Sequence, residues 1–451
     1  MINIKRFSLI CIFAVIIIFT GCMEQEEYYQ TDNSIEAELT PVNLRRFEQT
    51  PQLRQPTLEE AEKYPQLTNL PTLYIELEII RWDQIQRSVY VPAVYTLVDG
   101  EEGIFNEPLM IMGRGKFSWS LPKKPYTVRM ARDIDLLGMK SARKWVLLAE
   151  SYVDTTMMRH NLMFWLADEA DQEYAPDWRY VDLYANGEYQ GTYLITESIQ
   201  IHENRLNLDR NTEAIFEIEA TYRCADHEWC IDMIGGQHHI WYKRPSVKGS
   251  FSYDAKSANF EKFKEFFVDM QASLSQGYEA YSQFIDVDSF VSWYIVNEFC
   301  KNFDSGFTAS CYAYLRDGKL YMGPVWDYHT AFGNQDIGPP VNKLSPEGYH
   351  VSSSPWFRIL TGDDDFMKLV HAKWTQMRDD GIFERFIGFI NETAQHISES
   401  AQLNFERWPD ALRYTLRPRR LARFTFESEV EYLKDWIAWR IEWLDGEWYG
   451  R

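Results

Sequence analysis

The chain has 451 residues, of which 45% are hydrophobic and 16% aromatic, so it can bury a large core and is not disordered over most of its length. Its formal charge of −21 argues against non-specific nucleic-acid binding and against electrostatic docking on anionic lipid, since both need a basic surface. An anionic ligand must then be met by local cations, helix N-termini or metal ions.

The first 21 residues have the pattern of an export signal. Lys5 and Arg6 precede an uncharged run, Leu9–Phe19, that is too short to span a bilayer as a helix. The run ends in FTGC, which resembles a bacterial lipobox. We therefore predict a lipoprotein signal peptide over residues 1–21 and lipidation of Cys22; the alternative is ordinary secretion with Cys22 as a bystander. The protein is expected to be exported and lipid-anchored to the cell membrane, or to the outer membrane or cell surface.

Two regions follow the signal. Residues 22–68 are polar and acidic and contain Gln and Pro, which predicts a tether. Residues 69–450 are predicted to form one α+β domain, with a strand-rich lobe over about 69–220 and a mainly helical lobe over about 221–450.

Alternating hydrophobic residues predict strands in the first lobe. The predicted strands are Thr72–Ile80, Val89–Val98, Leu109–Arg114, Tyr126–Met130 and Trp145–Ala149. Asn186-Gly187 and Asp317-Gly318 each predict a β-hairpin, because both central positions of such a turn need positive φ. The paired runs are Arg179–Ala185 with Glu188–Thr196, and Cys311–Arg316 with Lys319–Val325.

Helical periodicity dominates the end of the chain. The predicted helices are Asp154–Glu169, Phe260–Ser273, Asp288–Phe299, Asp364–Asp379, Phe383–Asn404 and Ser428–Trp443. The spacing of Trp436, Trp439 and Trp443 predicts a core-facing stripe on the last helix. Two cysteine pairs, Cys224/Cys230 and Cys300/Cys311, are either bridges of an oxidising compartment or buried free thiols.

The segment 286–334 carries the chemistry. A predicted helix leads into a polar loop with Asn302 and Asp304, and the Asp317-Gly318 hairpin then returns the chain to Asp327. The two carboxylates are therefore expected to face one cleft between the lobes. Phosphoryl transfer needs one carboxylate near the attacking hydroxyl and another that holds Mg²⁺ on the phosphates. Protein kinases place helix, Asp loop, hairpin and metal Asp in the same order, although neither H-R-D nor D-F-G is present here.

Several motifs make the chain similar to the CotH kinase family of atypical, kinase-like phosphotransferases. NEFCKNFD resembles the family's N-E-x-x-x-N-x-D loop, and GPVWDYHTAFGN resembles its G-P-x-W-D-x-D-x-A-F-G-N segment. GRGKFSWSLPKKPYTVRM resembles its R-G-x-S-x-x-x-x-K-K-P-Y region, and two further stretches match between residues 144 and 199. The resemblance covers residues 70–334 and implies an atypical, protein-kinase-like two-lobed fold.

The resemblance also implies roles for single residues. Asp304 would orient or deprotonate the acceptor hydroxyl, Asp327 would bind Mg²⁺ (or Mn²⁺), and Asn302 would complete the metal shell. ATP would be the phosphate donor.

A second set of residues would bind the nucleotide. Glu197 would pair with a nucleotide-binding cation, either Arg129 or Lys144, on the wall opposite the two aspartates. Four residues depart from the family pattern: His329 stands where a second acid is common, Arg129 where Lys is common, and Glu150 and His160 where Asn is common. Mg²⁺ prefers oxygen ligands, so His329 weakens the expectation of catalysis more than that of fold.

Three functions are open at this point. The first is a membrane-anchored kinase that phosphorylates Ser or Thr of surface or coat proteins. The second is a non-catalytic, pseudokinase-like surface or adhesion lipoprotein, which the tether, the lipid anchor and His329 favour. The third is a metal-dependent phosphotransferase or hydrolase acting on a glycan or lipid headgroup. No nucleic-acid partner is expected.

Overall fold

The computed structural model describes residues 53–221, 230–243, 253–334, 344–414 and 424–451. The predicted signal peptide, Cys22 and Cys224 lie outside the described residues, as does most of the predicted tether. Residues 53–68, which the sequence assigned to the tether, carry helix α1 (Leu58–Lys63), which begins at a capping box on Thr57. Arg54 and Gly103 exchange two backbone hydrogen bonds, and Tyr64 is buried, so this part of the chain packs on the domain.

Seven strands close into a barrel in the order β1-β2-β3-β4-β5-β7-β6. The barrel is completed by parallel pairing of β1 with β6, and every other neighbouring pair is antiparallel. The strands are β1 (Thr72–Leu77), β2 (Val91–Asp99), β3 (Glu102–Gly113), β4 (Tyr126–Ile134), β5 (Ala142–Leu148), β6 (Trp178–Ala185) and β7 (Glu188–Glu197).

The barrel strands contribute to two separate cores, because successive side chains on a strand point to opposite sides. Inward-facing side chains such as Val128, Trp145 and Ile195 form one core. Outward-facing Val146 and Leu194, on β5 and β7, belong to a second and larger core beneath the barrel. One wall of the barrel is thus the platform on which the helical part of the protein packs.

A second sheet of five strands has the order β12-β11-β8-β10-β9. Its strands are β8 (Ala214–Ala220), β9 (Cys230–Asp232), β10 (His238–Lys243), β11 (Cys311–Arg316) and β12 (Lys319–Met322). Both predicted hairpins are confirmed, with positive φ at Asn186 and Gly187 and at Asp317 and Gly318.

The remaining helices lie mostly in the second half of the chain. They are α2 (Arg159–Glu169), α3 (Tyr253–Ser273), α4 (Tyr278–Tyr281), α5 (Val287–Cys300), α6 (Pro355–Leu360), α7 (Asp364–Asp379), α8 (Ile382–Arg407) and α9 (Phe426–Trp448). Helix α5 is central, since 12 of its 14 residues are buried, and its N-cap is Asp286, whose side chain accepts a hydrogen bond from the Ser289 N–H. Within the described ranges, no helix combines the length and the apolar character needed to cross a membrane.

The sequence predicted strands first and helices last in an α+β fold, and this order is confirmed. The strand-rich half is a closed barrel rather than a kinase lobe, and the second sheet draws strands from the region expected to be mainly helical. The tryptophan stripe was partly wrong. Trp436 is buried, but Trp439 is 63% exposed, because the buried face of α9 centres on Leu433 and Ile437.

The cysteine alternatives have separate outcomes. Cys300 and Cys311 are buried free thiols. Cys230 is disulfide-bonded, whereas Cys224 lies outside the described residues.

Candidate active site

The candidate site is built from two segments, which we call the Asp304 loop (residues 301–306) and the Asp327 segment (residues 326–334). Helix α5 ends where Lys301 adopts a left-handed conformation, and the Asp304 loop begins at that turn. The β11–β12 hairpin then returns the chain, and the Asp327 segment follows β12 after Gly323, Pro324 and Val325. This is the path that the sequence predicted.

Asn302 and Thr330 join the two segments. The Asn302 side-chain amide donates to the backbone carbonyl of Asp327 at 3.1 Å, and its oxygen accepts from the Thr330 hydroxyl. The Thr330 hydroxyl oxygen in turn accepts from the Phe303 N–H at 3.1 Å, one residue before Asp304. The backbones that carry the two aspartates are therefore fixed against each other.

Asp327 occupies a strained and partly open position. Its backbone φ is +67°, which is uncommon for a residue with a side chain and is often found at functional sites. One carboxylate oxygen lies 2.7 Å from Nδ1 of His329, and the other accepts from the Ser310 hydroxyl at 3.3 Å. The side chain remains 32% exposed, so a ligand can reach it.

Asp327 and His329 each shift the pKa of the other. Burial alone would raise the pKa of Asp327, but the charge and hydrogen bond of His329, with His160 and Arg114 nearby, hold it well below its usual range. Burial alone would lower the pKa of His329, but Asp327, with Asp304 and Glu150 nearby, raises it to about 9. At neutral pH the two residues form an ion pair, and the Asp304 carboxylate is close enough to contribute to it.

His160 supports the Asp327 segment from α2. Its Nε2 accepts a hydrogen bond from the Tyr328 N–H at 3.1 Å, and its Nδ1 lies 2.9 Å from a carboxylate oxygen of Glu150. Since Nε2 is an acceptor, the ring proton sits on Nδ1 and is donated to Glu150. The Glu150–His160 pair, at two positions that depart from the family pattern, thereby holds the backbone just after Asp327.

Asp154 and Arg159 form a second, fully buried support. The Asp154 carboxylate accepts from the N–H groups of Met158 and Arg159 and pairs with the Arg159 guanidinium. The guanidinium also donates to the Ala331 carbonyl at 2.9 Å, within the Asp327 segment. The Asp154–Arg159 ion pair therefore contacts the backbone of the Asp327 segment.

The predicted ion-pair partner of Glu197 is wrong. Glu197 lies opposite Trp145 and forms an ion pair with Arg205 at 2.8 Å, not with Arg129 or Lys144. Arg129 and Lys144 are cross-strand neighbours in the β4–β5 pair. Because side chains alternate along β5, Lys144 points to the face opposite the one shared by Trp145 and Glu197.

A cation that the sequence did not single out lies beside the Asp327 segment. Arg114 follows β3 and stacks over the ring of Trp326, with its Cζ 5.3 Å from the ring centroid. Its charge contributes to the lowered pKa of Asp327. Arg114 lies within the family-like stretch GRGKFSWSLPKKPYTVRM, which is the sequence signal that could have identified it.

Asn297 and Glu298, the first two residues of the loop motif, have structural contacts. The Asn297 side-chain oxygen accepts from the hydroxyls of Ser305 and Tyr328 at 2.6 and 2.8 Å. Glu298 is fully buried against Arg440. Asn302 is also buried, and both ends of its amide are occupied, so its geometry favours positioning of Asp327 over direct metal ligation.

The donor set bears on the expected metal ion. Among the described residues, no group of three or more His, Cys, Asp or Glu side chains could hold a metal ion. Mg²⁺ commonly uses one or two carboxylates together with substrate phosphates and water. The partly exposed Asp327 carboxylate fits such a site, in which the phosphates bring most of the ligands.

Comparison with known families identifies a match over most of the chain. A family model described as CotH kinase protein matches residues 111–444, well over half of the chain. The match includes the Asp304 loop, the Asp327 segment and most of α9. No curated protein sequence matches the chain.

Proposed function

The chain belongs to the CotH kinase family, and from this premise we propose that it is an exported, membrane-anchored phosphotransferase. It transfers phosphate from ATP, with Mg²⁺ or Mn²⁺, to Ser or Thr of surface or coat proteins. In this proposal the closed barrel takes the place of the strand-rich lobe of a protein kinase. Lipid attachment at Cys22 supplies the anchor.

The observation that carries this proposal is the junction between the Asp304 loop and the Asp327 segment. Asn302 and Thr330 hold the two backbones together, which supports the assignment of two carboxylates with different surroundings to one site. Asp327 is anionic and partly exposed, whereas Asp304 is nearly buried. Kinase chemistry needs this division between a metal carboxylate and a carboxylate for the acceptor hydroxyl.

The proposed reaction assigns the proton to Asp304. Its carboxylate accepts the proton of the Ser or Thr hydroxyl as the hydroxyl oxygen bonds to the γ-phosphorus of ATP. The bond from that phosphorus to the β–γ bridging oxygen breaks, and ADP leaves. Asp327 would hold the metal ion, which neutralises charge on the phosphates when bound. Arg114 faces the same region and would add a permanent positive charge.

His329 favours a second candidate, a non-catalytic surface or adhesion protein. Its ring occupies one oxygen of Asp327 at 2.7 Å, and at neutral pH its positive charge opposes a divalent cation there. A protein that keeps the fold but has lost metal binding would look like this. The two proposals differ in one measurable property, the affinity for ATP–Mg²⁺.

Calorimetric titration of ATP–Mg²⁺ tests the choice. Wild type is expected to bind, and Asp327→Ala is expected to lose metal-dependent binding because the phosphates then face an acidic protein without the metal anchor. Asp304→Ala is expected to keep nucleotide affinity and to lose transfer rate, because its partner is the acceptor hydroxyl. Asp288→Ala, an exposed aspartate in the first turn of α5, is the matched control and should change neither.

The outcomes separate the candidates. Equal affinity in wild type and Asp327→Ala would make Asp327 a structural residue. No binding in wild type would favour the non-catalytic protein. Transfer from labelled ATP to a glycan or lipid headgroup, but not to protein Ser or Thr, would favour the third function.

A further inference from the structure

Arg440, on the last helix, is a fully buried arginine that the proposed reaction does not use. Its guanidinium donates to the backbone carbonyls of Glu298 and Phe299, at 2.6 and 3.3 Å, in the last turn of α5. It also contacts the Glu298 carboxylate at 3.1 Å. The same guanidinium donates to the carbonyls of Pro346 and Gly348, at 2.6 and 2.8 Å. One side chain therefore joins α9, the end of α5 and residues 344–352, which we call the strap.

The strap is held against α5 by further contacts of the same kind. Lys301, the first residue of the Asp304 loop, donates to the carbonyls of Ser345 and Glu347 at 3.0 and 2.6 Å. The Glu298 carboxylate accepts the N–H groups of His350 and Ser352 at 2.6 and 3.1 Å. Arg440 and Glu298 thus act as a pair, in which the cation binds strap carbonyls and the anion binds strap N–H groups.

The strap in turn contacts the Asp304 loop. The His350 ring has its Nε2 3.2 Å from the carbonyl of Phe303, the residue before Asp304. The ring also packs on Gly306, where an added Cβ would lie 3.1 Å from it. The Asp304 backbone is therefore confined between the Asp327 segment on one side and the strap on the other.

We propose that Arg440 is the positioning residue of Asp304, acting through α5 and the strap, so that α9 sets the geometry of acceptor activation. The proposal rests on the proposed function of Asp304 and adds a residue more than 130 positions away in sequence to the site. Arg440 holds Asp304 for the acceptor hydroxyl. Arg440 makes no direct contact with the Asp327 segment, so its replacement should lower the transfer rate more than the affinity for nucleotide.

The geometry needs an arginine. Guanidinium presents five N–H donors in a rigid plane, and here they serve carbonyls on two separate stretches of chain as well as a carboxylate. Lysine retains the charge opposite Glu298 but has one nitrogen, which cannot reach both α5 and the strap. Removing the charge altogether would leave Glu298 buried and uncompensated, so alanine is a poor test.

The test compares Arg440→Lys with Arg378→Lys. Arg378 on α7 pairs with Asp445 of α9 at 3.1 Å, so it also docks the last helix, but it does not contact the Asp304 loop or the strap. Arg440→Lys is expected to lower kcat for transfer to Ser or Thr by about 10- to 100-fold, the loss typical of a displaced catalytic group, with a smaller change in ATP–Mg²⁺ affinity. Arg378→Lys should leave both quantities near wild type. Equal losses of kcat in both variants would show that only helix docking matters and would overturn the proposal.

Hydrogen exchange tests the role of Arg440 without relying on enzymatic activity. In Arg440→Lys, amides in residues 298–306 and 344–352 should exchange faster than in wild type and in Arg378→Lys, while the barrel strands keep their protection. Unchanged protection in these two stretches would overturn the proposal even if kcat fell. If wild type transfers no phosphate, the proposed function fails, and the exchange result alone then decides whether Arg440 positions the loop.

Discussion

Lys123 gives a stability prediction whose size follows from its surroundings. The side chain is buried between the barrel and α8, where its ammonium donates to the Thr192 carbonyl and, at 2.8 Å, to the Asn404 side chain. Burial lowers its pKa to about 7, although Glu150 and Asp182 oppose that shift. The ammonium form is therefore disfavoured by folding.

The direction of the pH dependence of stability follows from proton binding in the folded and unfolded states. Between pH 7 and 10.5 the unfolded chain holds a proton on Lys123 that the folded protein releases, so stability rises with pH in that window. Below pH 7 both states are charged and the destabilisation is complete, at about 5 kcal/mol in the limit of one isolated group. Raising the pH from 7 to 9 therefore increases the free energy of unfolding by about 2 kcal/mol.

Urea unfolding at pH 7 and pH 9, in wild type and in Lys123→Met, measures this term. His329, whose pKa is raised to about 9, loses stability over part of the same window, so only the difference between the two proteins isolates Lys123. The free energy of unfolding of wild type relative to Lys123→Met should rise by about 2 kcal/mol between the two pH values. In a control, Lys368→Met, the difference should stay flat, because the pKa of Lys368 is raised above 10.5. A flat difference for Lys123 as well would refute the reasoning.

Three further predictions concern the anchor, the metal and the support of the site. Cys22→Ser should move the protein from the detergent phase to the aqueous phase in a partition assay; retention with the membrane would contradict lipidation at this residue. His329→Asp should tighten ATP–Mg²⁺ binding by roughly tenfold in calorimetry, because an oxygen ligand replaces a cation beside Asp327; unchanged affinity would show that His329 does not limit metal binding. Asp154→Asn should destabilise the fold by about 3–5 kcal/mol in urea unfolding, since Arg159 is left buried without its carboxylate; a loss under 1 kcal/mol would contradict the buried pair.

The elements of the fold were largely predictable, and the closure of the barrel was not. Alternation identified most barrel strands, and Asn186-Gly187 fixed one pairing because the turn is local. The parallel pairing of β1 with β6 joins Thr72 to Asp182 across more than 100 residues. Alternation gives the inward face of a strand but carries no information about which distant strand lies beside it.

In the site, too, features set by local sequence were predictable, and features set by distant contacts were not. The return of the chain from Asp304 to Asp327 was predictable, because a two-residue hairpin lies between them and constrains the path. The partner of Glu197 was not, because it depends on the β5–β7 register, which places Glu197 on the Trp145 face and thus beside Arg205. The contacts of Arg440 could not be predicted for a similar reason. A single arginine in a tryptophan-rich helix is expected to be exposed to solvent, and its burial depends on how the helix packs.

Most of the motif that relates this chain to the CotH kinase family maintains geometry rather than performing chemistry. Hydrogen bonds to other groups of the protein occupy the side chains of Asn297, Glu298 and Asn302. A chain that had lost activity would still need them to hold the α5 end and the Asp327 segment, so their presence does not distinguish a kinase from a non-catalytic relative. The distinction lies at Asp327, where His329 already occupies one carboxylate oxygen of the proposed metal ligand. The affinity of the wild-type protein for ATP–Mg²⁺ is therefore the measurement that decides between the two functions.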